Sequence, residues 1–181
     1  GVEITSAAAK LARQNLDCVI CGNVEEKDFL IPLIDEKKYD CIVYGDVLDH
    51  LRDPWDVLHG HLDLLAEQGM FLACIPNAQH WSVVANLLSG NWPLTDQGLF
   101  DRTHLRWFTR NTIQEWFHSL ELSIYDFHSR VFDIDQSKEF VSKLLPALSN
   151  LKLDPQSVFK RMAPLQYVVA AGRLPRTPLL V

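Results

Sequence analysis

The sequence predicts an α/β fold built on a mostly parallel sheet. Short runs at 17–21 (DCVIC), 39–44 (YDCIVY) and 70–75 (MFLACI) are nearly continuous in apolar and β-branched residues, the pattern of strands buried on both faces. A strongly patterned helix separates the second run from the third, and strand–helix–strand alternation at this spacing makes βαβ units. The chain has 181 residues, 48% hydrophobic and 22% charged, which suits one domain with its own core.

The elements follow in order. Val2, Glu3 and Ile4 read as the tail of a buried strand, and Thr5 and Ser6 as the cap of a helix over residues 7–15. A chain that opens on the end of a strand implies that further residues precede Gly1. In the helix after the 39–44 strand, Asp53 is placed to cap and Pro54 to open the first turn. Leu58, Leu62 and Leu65 share one face, and Gly69 closes it. Asn77 is placed to cap a helix carrying Trp81, Val84 and Leu88 on one face and ending at Gly90. Thr109 caps another, with Ile113, Trp116, Phe117 and Leu120 as its apolar face. Strands are expected at 122–127 and 166–173, separated by a helical insert at 131–164 in which Asp154 and Pro155 repeat the cap-plus-proline pattern. The Pro-containing tail, 174–178, reads as frayed or extended.

Several function classes fall away. The net charge is -6 with 17 Lys+Arg, and the basic residues form no block, so no nucleic-acid partner is expected. With no long apolar run and no signal-like start, a cytoplasmic chain without a membrane partner is expected. Cys18 and Cys21 spell CxxC, but on a strand they point to opposite faces, and no metal site is expected from them or elsewhere. Cys41 and Cys74 read as core thiols, as Trp81, Trp107, Trp116 and Phe117 read as core aromatics. His59 and His61 read as solvent-facing.

Three segments in order resemble the class I S-adenosylmethionine-dependent methyltransferases. They are 1–6 (GVEITS), 21–25 (CGNVE) and 39–54 (YDCIVYGDVLDHLRDP), the last close to the family's D-V-L-E-H-L-x-D-P with Asp49 in place of Glu. Residues 67–77 and 101–109 (DRTHLRWFT) continue the match. The resemblance implies a Rossmann-like three-layer sandwich whose last strand is antiparallel, with S-adenosylmethionine as cofactor and a small-molecule methyl acceptor. It implies Glu3 as the acceptor of the ribose hydroxyls and Asn23, with Val24, at the adenine. Asn23 stands where the family usually has Asp. The plainer alternatives are a surface carboxylate at Glu3 and an ordinary Gly-Asn turn at Asn23.

The loop after the 39–44 strand places Asp46, Asp49 and His50 at a carboxyl strand end, where open α/β sheets bind ligands. His50 is the expected proton acceptor, with Asp46 or Asp49 beside it, and His104 in reserve. Asp46 also faces the cofactor. Their plainer roles are turn capping for the carboxylates and a structural polar cluster with Arg102 and Arg106 for His104. The region 76–107 is a candidate substrate lid, with Trp81 and Trp92 in it.

The resemblance also implies a first, central strand and a glycine-rich cofactor loop before Gly1, for which the eight scattered glycines offer no substitute. On that reading the chain by itself is weakly active or inactive. A homodimer completing the sheet, or a non-catalytic scaffold or dimerisation module, is the alternative. A nicotinamide-binding domain shares the acidic strand end but fits residues 46–54 poorly.

Overall fold

The computed structural model describes residues 1–26 and 38–173; the tail expectation for 174–178 lies outside them. The chain runs β1 (Val2–Glu3), α1 (Ser6–Ala12), β2 (Ile20–Cys21), β3 (Tyr39–Gly45), a 3₁₀ turn (Leu48–His50), α2 (Pro54–His61), a second 3₁₀ turn (Leu62–Leu64) and β4 (Leu65–Pro76). It continues through α3 (Trp81–Leu88), α4 (Arg110–Ser119), β5 (Ser123–Arg130), α5 (Ile134–Asn150), α6 (Pro155–Met162) and β6 (Gln166–Gly172).

Four strands form one sheet in the order β3-β4-β6-β5. β3 and β4 are parallel, and β6 runs antiparallel to both of its neighbours. Three strands therefore point one way and the last in sequence points back, as expected. β1 and β2 form a separate parallel pair, Val2 opposite Ile20 and Glu3 opposite Cys21. Among the described residues no strand pairs with the outer edge of β3.

The register explains the core. Phe71 faces Ala171, Ala73 faces Val169 and Ile75 faces Tyr167, so these six side chains share one face with Ile42, Tyr44 and Phe127. Onto that face pack Val57 and Leu58 of α2 and Ile113, Trp116 and Phe117 of α4, in one continuous cluster. The other face is not sealed. Val43 is 62% exposed and Cys41 is exposed, so β3 is not buried on both sides and Cys41 is not a core thiol. Nor is β1 a buried strand, since Val2 and Ile4 are exposed. Apolar continuity in sequence does not separate a strand covered twice from a strand covered once.

Local signals place most helix starts. Asp53 caps α2, its Oδ1 accepting Asp56 N–H at 3.0 Å, with Pro54 in the first turn. Thr109 and Thr112 form a reciprocal capping box at α4. Asp154 receives Ser157 N–H at 2.8 Å ahead of Pro155. At α1, Thr5 occupies the cap position but its side chain takes no cap bond; instead Glu3 Oε1 accepts Thr5 N–H at 2.8 Å.

Several expectations fail for tertiary reasons. α2 ends at His61, and Leu65 already belongs to β4. Gly69 is no helix cap: it lies inside β4, where a Cβ would come 2.7 Å from the Tyr39 carbonyl oxygen, beside the register shift between Tyr39 and Cys41. Asn77 is fully buried at the end of β4, and its Nδ2 donates to the carbonyls of Arg161 (2.8 Å) and Pro164 (2.7 Å). His80, not Asn77, caps α3, whose buried residue is Val83, while Leu88 is exposed. Trp107 is exposed as well, so it is not a core aromatic.

His59 faces solvent as expected, but His61 does not. Pro54, Val57, Leu58 and His61 form the buried stripe of α2, and position 61 turns the imidazole inward. There Tyr44 Oη lies 2.6 Å from His61 Nδ1. Burial pushes the Tyr44 phenol up and the His61 imidazole down. The neutral ring therefore accepts a hydrogen bond from the Tyr44 hydroxyl at Nδ1.

His80 is likewise buried, and desolvation holds its pKa down to about 4 against the opposing pull of Asp133. The unfolded chain therefore binds the extra proton between about pH 6.5 and pH 4, and stability must fall as pH falls through that window. We expect urea unfolding to show a loss of about 2–3 kcal/mol from His80 between pH 7 and pH 4.5, by the linkage of about 1.4 kcal/mol per pKa unit. The variant His80→Gln should lose that part of the slope.

Candidate active site at the carboxyl end of β3

β3 ends at Gly45, and the chain turns at Asp46 with φ 53°. A non-glycine residue in the left-handed region costs about 1–2 kcal/mol, and such positions cluster at ligand sites. Asp46 lies beside Cys74 on the neighbouring strand. Burial first, then the Asp46 charge and hydrogen bond, push the Cys74 thiol up. The following 3₁₀ turn then carries Leu48 and Asp49 inward and leaves His50 partly open to solvent.

A distant loop closes over this turn. The amides of Leu105 and Arg106 both donate to the Asp49 carbonyl, at 2.8 and 3.0 Å. The Arg106 guanidinium donates to the Arg52 carbonyl and lies 5.7 Å from the Trp55 ring centre. Further on, Ala78 N–H donates to the Phe108 carbonyl at 2.8 Å. Residues 101–108 are thus clasped to the carboxyl ends of β3 and β4.

The clasp brings His50 and His104 together at Asp49. Asp49 Oδ2 stands 2.9 Å from His104 Nε2 and 3.6 Å from His50 Nε2, and the two rings meet edge to face with centres 4.7 Å apart. The Asp49 carboxylate is 1% exposed, and neither oxygen has a side-chain hydrogen-bond partner, although His104 Nε2 stands 2.9 Å from Oδ2. Burial pushes the Asp49 carboxyl up; the two histidines pull it down, and the nearby Asp46 charge adds to the rise.

His50 is oriented from its other side. Its Nδ1 is 3.3 Å from the Thr103 carbonyl and 3.0 Å from Thr103 Oγ1. Thr103 Oγ1 itself donates to Asp101 Oδ1 at 2.6 Å, and Thr103 N–H donates to the same oxygen at 2.8 Å. These two bonds hold the Asp101 carboxyl below the usual carboxylate range. Since a carbonyl only accepts and the hydroxyl proton is spent on Asp101, the partners assign the His50 proton to Nδ1. Nε2 then presents its lone pair to the Asp49 side.

The residues expected at the cofactor each follow the carboxyl end of a strand: Glu3 ends β1, Asn23 and Val24 follow β2, and Asp46 follows β3. Glu3 is half-buried and Val24 packs against the main core. Asn23 Oδ1 accepts Glu25 N–H at 3.0 Å, so this oxygen is engaged in the local turn. The tie between that turn and the Asp49 region is Glu25, whose Oε1 accepts the amides of Arg52 (2.9 Å) and Asp53 (3.0 Å). A small groove adjoins His104 and Arg106, with Pro76, Val83, Leu99 and Trp107 on its walls.

Sequence reasoning named His50, His104 and Asp46 but gave no leading part to Asp49, Thr103, Asp101 or Glu25. The Asp-x-Thr spacing at 101–103 was a visible turn signal. Nothing local announced that it would face His50.

A candidate site at the carboxyl ends of the strands is where open α/β sheets bind their ligands. The chain belongs to the methyltransferase-domain family, whose model matches residues 1–126. Among solved structures it is similar to an S-adenosylmethionine-dependent methyltransferase of Thermotoga maritima, described as a possible histamine N-methyltransferase. Identity there is 14% and the TM-score 0.60, over 96% of this chain and 72% of that one. A methyltransferase of Archaeoglobus fulgidus gives 14% and 0.57, over 94% and 74%. The magnesium protoporphyrin IX methyltransferase of Synechocystis, solved with bound S-adenosylhomocysteine, gives 12% and 0.58, over 96% and 63%. At these identities the likeness shows the fold, and S-adenosylmethionine is the cofactor of that fold class. No curated protein matches.

We expect the nitrogen spectrum of the metal-free chain near pH 8 to show His50 as the Nδ1–H tautomer, with Thr103→Val shifting it toward a tautomer mixture. A His50 ring protonated at Nε2 in the unsubstituted chain would reverse the assignment.

Proposed function

We propose that the chain transfers a methyl group from S-adenosylmethionine to a small, partly apolar molecule through a nucleophile that sheds a proton. The observation that carries this reading is the convergence of His50 and His104 on the buried Asp49 carboxylate at the carboxyl end of β3. The cofactor supplies a methyl on a sulfonium and leaves as a neutral thioether. The protein's work is therefore alignment, exclusion of water and management of one proton.

Glu3 is the residue to receive the ribose hydroxyls: Thr5 N–H holds one oxygen in place, and a carboxylate keeps further accepting sites. Val24 offers an apolar contact beside the adenine. Asn23, its oxygen already engaged, keeps its NH2 for the ring. Asp46 stands at the junction of cofactor and acceptor. His50 Nε2 receives the acceptor's proton, with Asp49 stabilising the imidazolium and Thr103 fixing the ring. His104 meets the same Asp49 oxygen and is the second proton acceptor. The loop over 76–107 covers the acceptor, with Trp107 and Leu99 supplying apolar contact.

Four free thiols agree with a reducing, cytoplasmic setting. No helix among the described residues is long and apolar enough to cross a membrane.

A second reading, a scaffold that dimerises through its sheet, is favoured by the outer edge of β3, which no strand among the described residues pairs, and by exposed Val43. One pair of measurements separates the two. Calorimetric titration with S-adenosylmethionine should show binding that Glu3→Ala weakens at least tenfold, with circular dichroism unchanged. Unaltered affinity in Glu3→Ala would overturn the ribose assignment. A chain that binds no cofactor and is a dimer by light scattering would favour the scaffold.

A further inference from the structure

The geometry points to a divalent-cation site formed by Asp49, His50 and His104, and its role in catalysis rests on the methyl transfer proposed above. One ligand atom from each residue lies within 4.8 Å of the others. Donors held about 2.0–2.2 Å from a cation and about 90–110° apart are themselves separated by about 2.8–3.6 Å. The two measured separations from Asp49 Oδ2 are 2.9 and 3.6 Å.

Two further features single out a cation over a plain ion-pair cluster. The Asp49 carboxylate is buried with no side-chain hydrogen-bond partner on either oxygen, although an imidazole nitrogen stands 2.9 Å away. A buried carboxylate facing two imidazole nitrogens at ligand-like separations is a donor set that one cation satisfies. In addition, His50 has its Nδ1–H taken by Thr103, which Asp101 anchors in turn. This is the outer hydrogen bond that orients a metal-binding imidazole and turns its other nitrogen inward. A lone pair at Nε2 facing a buried carboxylate needs positive charge between them. A proton bridges one such pair; a cation serves all three groups.

The donor set selects the ion. Two imidazoles and one carboxylate suit Mn2+, Co2+ or Zn2+, whereas Mg2+ and Ca2+ prefer oxygen. Three protein ligands leave coordination positions open toward the groove beside His104, where an acceptor hydroxyl can bind. The bound hydroxyl loses its proton to solvent, its oxygen forms the C–O bond, and the C–S bond breaks with its electron pair going to sulfur. The cation thus takes over, in the loaded protein, the activation that His50 would otherwise perform. The inference departs from the expectation that this chain holds no metal, an expectation formed on Cys18 and Cys21.

The test is direct binding by the chelator-treated full chain with neither cofactor nor acceptor present. Mn2+ followed by paramagnetic resonance and Co2+ followed by visible absorption should each saturate at one ion per chain. His104→Gln and the more exposed His50→Ala should each weaken binding at least tenfold with the circular dichroism spectrum retained, and His59→Gln should leave it unchanged. The inference is overturned by absence of saturable binding in the folded chain, by binding indifferent to both site substitutions, or by tighter binding of Mg2+ than of Mn2+. Because the readout contains no methyl donor, loss of S-adenosylmethionine binding in its own titration would sink the transfer reading and leave the metal result standing.

Discussion

The peptide carbonyl of Asp49 accepts the amides of Leu105 and Arg106 while its side chain, sealed from solvent, meets His50 and His104. Each of the two backbone bonds contributes about 1 kcal/mol, yet together they tie a turn after β3 to a loop more than fifty residues further along the chain. Burying the carboxylate costs several kcal/mol unless positive charge meets it, so the site is assembled around the need to neutralise one group. His50 from the same turn and His104 from the clasped loop bring two imidazoles to that carboxylate. The orientation of His50 by Thr103, and of Thr103 by Asp101, follows from the same closure.

The sheet supplies the platform. Alternation along β4 and β6 puts Phe71, Ala73, Ile75, Tyr167, Val169 and Ala171 on one face, where α2 and α4 cover them. That packing fixes where β3 ends and hence where Asp46 turns. Among the described residues nothing pairs with the outer edge of β3, and Val43 on the other face is exposed. The site is therefore built at the better-packed side of the molecule, while the region carrying Glu3 and Asn23 is attached through contacts such as the Glu25 clasp on Arg52 and Asp53.

Elements with strong local chemistry were legible in the sequence. Thr109 and Thr112, Asp53 with Pro54, and Asp154 with Pro155 each satisfy helix-end amides from within a few residues, so the signal and the structure coincide. Gly69, Asn77 and His61 misled because their roles depend on distant partners. The Tyr39 carbonyl excludes a side chain at 69, the carbonyls of Arg161 and Pro164 hold Asn77, and the Tyr44 hydroxyl draws His61 inward. At the site, motif order named Asp46, His50 and His104, since all stand in or beside segments with a recognisable pattern. It could not rank Asp49 above Asp46, because only burial distinguishes two carboxylates three residues apart.

The sequence by itself determined the α/β class, the mostly parallel sheet and most of the helix starts. These follow from periodicity and short-range hydrogen bonding, which act within a few residues. Tertiary structure alone decided which carboxylate would be buried, which imidazole nitrogen would face it, and that His104 would cross to meet His50. Those outcomes depend on desolvation and on contacts between residues far apart in the chain, and neither is written in any local pattern.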